Sequence, residues 1–173
     1  MKRTLTAVAV MLFALTARAD QQSIYRIRGL LDDLGRLATD LAKEANRDAE
    51  ILRRLVDAAR ALDDWQKNNG VSKALDAIGK AEQLAAQQPP NPRVMKLVKN
   101  AHDIVQPARE STMNIDQMKL RGELRGRAIE PMRQVVSEDI GALARVTSQL
   151  TDVTNVVAKA MASASAAALG QTE

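Results

Sequence analysis

One imidazole, His102, serves the whole chain of 173 residues, and there is no cysteine. Acyl transfer by a Ser-His-Asp arrangement would have to run through His102, yet no serine sits in a G-x-S-x-G turn or beside a glycine-rich oxyanion loop. No H-E-x-x-H, E-x-x-H, Walker A or G-x-G-x-x-G spacing occurs, so zincin, di-metal-bundle, phosphate-loop and dinucleotide chemistries lack the residues they need. Without thiols there is no disulfide, thiolate metal ligand, lipid-attachment cysteine or thioether-linked haem. Paired carboxylates stand at Asp32-Asp33, Asp63-Asp64 and Glu138-Asp139. Sequence neighbours point in different directions on a helix, so solvated charge accounts for them better than acid–base work does. The residues predict a protein that is not an enzyme and holds no metal or cofactor.

Two features outside that inventory bear on function. Asp48 and Asp139 interrupt otherwise apolar helical stripes, and a carboxylate turned toward other helices needs a partner or water. Either each stays wet at a bundle rim, or the two belong to a buried polar layer with arginines such as Arg125. The second feature is the run Lys119-Leu120-Arg121-Gly122-Glu123-Leu124-Arg125-Gly126-Arg127, with Arg133 beyond it. Lys119, Arg121, Arg125, Arg127 and Arg133 face only Glu123 and Glu130, which makes this the one basic cluster. Such a cluster suits an acidic protein partner or an anionic membrane surface, and it also suits an ordinary charged helix face.

The elements that must carry these residues are helices. Ile24, Ile27, Leu31, Leu34, Ala38, Leu41, Ala45, Asp48, Leu52, Leu55, Ala59 and Leu62 keep an unbroken 3-4 spacing. A second column at Leu30, Leu37, Ile51, Ala58 and Trp65 widens the stripe beyond a two-stranded seam, so several helices must cover it. Asp32 with Arg36, Glu50 with Arg54 and Asp63 with Lys67 are acid-first pairs four apart on the opposite face. The segment 22–67 reads as one helix, with a break near Asn46-Arg47-Asp48 as the alternative. Asn68-Asn69-Gly70 reads as a helix terminator and Ser72 as the cap of a short helix carrying Leu75, Ile78, Ala81 and Leu84, which Pro89-Pro90 stops. Asn91-Pro92 opens a further helix through Val94, Leu97, Ala101, Ile104 and Ala108. From there the stripe weakens, then strengthens again through Val136, Leu143, Val146, Leu150 and Val153. Kinks or breaks are expected at Pro107 and Pro131, and a reversal or a mobile segment near Gly122 to Gly126. The fold class that follows is all-α, an up-and-down antiparallel bundle of four to five helices with long N- and C-terminal members.

The stretch from Trp65 through Gly70 to Ala74 and Ala81 resembles the hairpin of one tetratricopeptide repeat. A position 34 residues on falls at Lys99 without a second aromatic or glycine turn, so a generic helical hairpin is the better description. A haem bundle of the cytochrome b562 kind is superficially similar at Pro89-Pro90 and His102. Its axial pair, a methionine near the mature N-terminus and a histidine near the C-terminus, has no counterpart here.

Residues 1–19 read as a cleaved secretory signal peptide: Lys2 and Arg3, an apolar run from Leu5 to Leu15, then Ala17-Arg18-Ala19 before Asp20. The bundle domain is expected over 20–162 and a low-complexity Ala/Ser tail over 163–173. Lys2, Arg3 and Arg18 account for three of the 25 basic residues and no acidic residue precedes Asp20, leaving 22 against 21 and a net charge of +1 in place of +4. Charge-driven nucleic-acid binding is thereby excluded. The expectation is a periplasmic or secreted, non-catalytic interaction or scaffold module. Its partner would be an envelope protein, or secondarily an anionic membrane surface. A small-ligand or cofactor-binding sensor bundle is the alternative.

Overall fold

The computed structural model describes residues 21–63, 67–111 and 116–169. Residues 1–19, where the sequence leads one to expect a signal peptide, lie outside them, as do Asp64, Trp65 and the last residues of the tail. The described chain is all-α, with α1 at Gln21–Ala61, α2 at Lys67–Ala85, α3 at Pro92–Glu110, α4 at Gln117–Leu124, a π turn at Arg125–Ile129, and α5 at Glu130–Leu169. The two terminal helices, of 41 and 40 residues, are the long ones. At 1.5 Å per residue each is about 60 Å long.

Helix ends follow local chemistry where capping residues are present. The Asn91 side chain accepts from the backbone N–H of Arg93 at 3.1 Å and of Val94 at 3.5 Å, while Pro92 takes the first helical position. Asp116 caps α4 by accepting from Lys119 N–H at 3.0 Å. At the end of α1 the chain tightens, with Asp63 N–H donating to the Arg60 carbonyl at 3.0 Å. There is no break near Asn46 to Asp48, since α1 is continuous across them.

Three sequence expectations are corrected. Asn68-Asn69-Gly70 does not terminate a helix but lies in the first turns of α2, and none of the described residues has a positive φ. Burial of Val71, Ala74, Ile78 and Ala81 against the core outweighs the weak helix propensity of those three residues. Pro107 does not break α3: it and Asp103, whose carbonyl loses its donor, are both exposed, so water supplies the missing bond. The chain does not reverse at Gly122 to Gly126 either, because α4, the π turn and α5 follow one another without interruption. The interruption comes earlier, where Ser111 turns extended after α3.

The described residues form two compact units. The larger, Leu41–Leu143, has a continuous core in which Ile51, Leu55, Ala58 and Leu62 of α1 meet Ile78 of α2, Val94, Val98 and Val105 of α3, Leu124 of α4, Ala128 of the π turn, and Met132 of α5. The other contains 21–40 of α1 and 144–169 of α5. Two helices can shield each other on one side only, and the consequence is visible: Ile27, Leu31, Leu34, Val146 and Leu150 are half-buried, Val153 is buried, and Leu37 is exposed. The second apolar column of α1 is thus core at Ile51 and Ala58 and open at Leu37.

Candidate functional site

The basic cluster is held by an apolar inner line. Leu124, Ala128, Ile129 and Met132 are buried in the core, and that seating turns Lys119, Arg121, Arg125, Arg127 and Arg133 outward, all exposed. The π turn makes this possible. Glu130 N–H donates to the carbonyl of Arg125, five residues back. This wider loop falls immediately before Pro131, whose ring would otherwise collide with the carbonyl four residues earlier. One extra residue in the turn lets the helix carry on and brings Arg125 and Arg127 to the surface together. Met118, 85% exposed, adds an apolar side chain to the same segment.

Three of the arginines have carboxylate neighbours. The Arg121 Nη1 lies 2.7 Å from Asp63 after the end of α1, Arg125 Nε 3.1 Å from Glu130, and Arg133 Nη1 3.3 Å from the same Glu130 oxygen. Both members of each pair are well exposed, so these contacts contribute about 0 to 1 kcal/mol each. A methyl group at Gly122 or Gly126 would meet nothing within 4 Å, so neither glycine is required by close packing. Gly122→Ala and Gly126→Ala are therefore expected to stabilise by about 0.5 to 1 kcal/mol each through helix propensity and a less flexible unfolded chain. Thermal unfolding checks this, a fall in melting temperature contradicting it.

Asp48 and Asp139 do come together, though not with Arg125. Asp48 is fully buried, and the Asp139 carboxyl of α5 lies close enough to act on its charge; both Asp48 oxygens and Asp139 Oδ2 are buried without a donor. Two ionised carboxylates offer only acceptors, so a hydrogen bond between them requires a proton. The arginine beside them is Arg47, its Nε 3.6 Å from Asp48 Oδ1. Arg47 also donates through Nη1 to the carbonyls of Gln87 at 3.2 Å and Pro89 at 3.0 Å, tying α1 to the turn between α2 and α3. Burial, and then the charge of Asp139, raise the Asp48 carboxyl from 3.8 to about 6, with Arg47 opposing. Asp139 is also raised, by burial and by Glu44. Next to it Glu138 accepts from Arg93 Nη1 at 2.6 Å, which holds its carboxyl below the usual range. The sequence pointed to Asp48 and Asp139 through their places on the stripes. Arg47, one residue before Asp48, and the Arg93–Glu138 pair carried no such signal.

His102 is half-exposed, with its Nδ1 3.3 Å from Glu82. Among the described residues no group of three or more His, Cys, Asp or Glu side chains is arranged to hold a metal ion, and no helix is long and apolar enough to cross a membrane. No protein-family model matches the chain, and comparison with curated proteins and with solved structures finds no similar one.

Proposed function

We propose that the chain is an exported, non-catalytic interaction module that presents the face Lys119, Arg121, Arg125, Arg127 and Arg133 to an acidic protein segment in the cell envelope. The observation that carries this reading is the exposure of all five cations on one short segment whose opposite side is anchored in the core. A face with Met118 at one end also gives a partner apolar surface to cover, which a purely charged contact lacks. Arg121, Arg125 and Arg133 exchange weak exposed carboxylates for those of the partner at little cost.

An oligoglutamate peptide tests the face, compared between the protein, the triple Arg121, Arg125 and Arg127→Glu, and a control triple of exposed α1 arginines, Arg26, Arg28 and Arg36→Glu. The face triple is expected to bind about tenfold or more weakly at low salt, with the difference shrinking as salt rises, while the control loses little. Equal losses in both would reduce the attraction to net charge and remove the site. Binding to phosphatidylglycerol vesicles but not to the peptide would replace the protein partner by a membrane surface.

Export itself has a direct check. Periplasmic material is expected to begin at Asp20, read by intact mass, and a mass retaining residues 1–19 would contradict it.

A further inference from the structure

We propose that Asp48 and Asp139 form a single-proton latch: with one proton shared between them they hold α1 to α5 at this layer, and its loss loosens that contact as pH rises. The geometry carries this. Asp48 is fully buried with no donor to either oxygen, and the group it meets is another carboxyl. The charged groups facing the pair are few. Glu44 and Arg47 come from α1, and Glu138 from α5 with Arg93 of α3 bound to it. From the α2–α3 turn come only the carbonyls of Gln87 and Pro89, on Arg47. When both aspartates are ionised, Asp48, Asp139, Glu44 and Glu138 confront Arg47 and an Arg93 already committed to Glu138. Repulsion then falls on a contact with no donor to absorb it. The raised Asp48 carboxyl, at about 6, places this change within mildly acidic to neutral pH.

Amide hydrogen exchange of the full chain, corrected for the intrinsic pH dependence of exchange, reads the latch in peptides covering 41–52 and 136–143. Protection there is expected to fall between pH 5 and pH 7.5 by up to about tenfold per pH unit, the limit for one proton. Asp48→Asn supplies a permanent amide donor to Asp139 and is expected to remove the pH dependence, as is Asp139→Asn, which serves if the first variant does not fold. Protection that is flat with pH in the parent protein would overturn the proposal. So would an unchanged pH dependence in a folded asparagine variant, or restoration of protection at pH 7.5 by millimolar calcium or magnesium, which would make the pair a cation site.

Discussion

Leu55→Ala is expected to lower the unfolding free energy by about 2 to 5 kcal/mol, with a melting temperature many degrees lower. Leu55 is fully buried in the α1 wall of the larger unit, where truncation leaves a cavity that helices fixed on every side cannot close. On the sequence alone Leu150 looks equivalent, at the centre of the other strong stripe. It is only half-buried, in the unit where two helices shield each other on one side. Leu150→Ala is accordingly expected to cost less than half as much as Leu55→Ala. Equal losses at the two sites, measured by chemical denaturation, would contradict this distribution of the core.

The second large effect is a dependence of stability on pH that runs opposite to ordinary acid denaturation. A carboxyl raised in the folded state binds its proton more tightly there than in the unfolded chain. The stability it contributes is fully present below 3.8 and is lost as pH rises through about 6. The change amounts to up to about 3 kcal/mol for a shift of this size. Glu50, held to about 2 by Arg53, and Glu138, held low by Arg93, act in the reverse sense, and their contribution is lost as pH falls below the ordinary glutamate value of 4.5. Above about pH 5.5 both glutamates are ionised in the folded and the unfolded chain alike, so a decline in unfolding free energy between pH 5.5 and 7.5 belongs to Asp48 and Asp139. Asp48→Asn should flatten it and leave the protein more stable than its parent at pH 7.5. A parent protein whose stability rises across that window would refute the shared proton.

How much of this was legible in the sequence depends on how local each cause is. The 3-4 spacing from Ile27 to Leu62 announced α1 because a single helix face records its own burial. Asn91-Pro92 announced the start of α3 because a cap acts over three residues. Asn68-Asn69-Gly70 misled because the burial that holds those residues in α2 comes from Val71 and Ala74 packing on other helices. At Pro131 the sequence marked a disturbance whose form, a π turn immediately before the proline, it did not specify. Asp48 and Asp139 were each visible as intrusions, but that they face each other depends on the register between α1 and α5, which no single stripe contains. For the basic cluster, the residues were legible and their neighbours were not: Asp63, which Arg121 reaches, lies 58 residues earlier.

On the proposed function the arginines of this segment serve a partner and not the fold. The most direct measurement is the melting temperature of the triple Arg121, Arg125 and Arg127→Gln, which removes the charges without adding repulsion toward Asp63 or Glu130. It is read beside the affinity of the same sample for oligoglutamate. Expected are unchanged helical content, a melting temperature within about 2 or 3 °C of the parent because exposed pairs are weak, and a marked, salt-sensitive loss of binding. A drop in melting temperature well beyond that with affinity unaltered would contradict the proposal, and would assign these arginines to the scaffold.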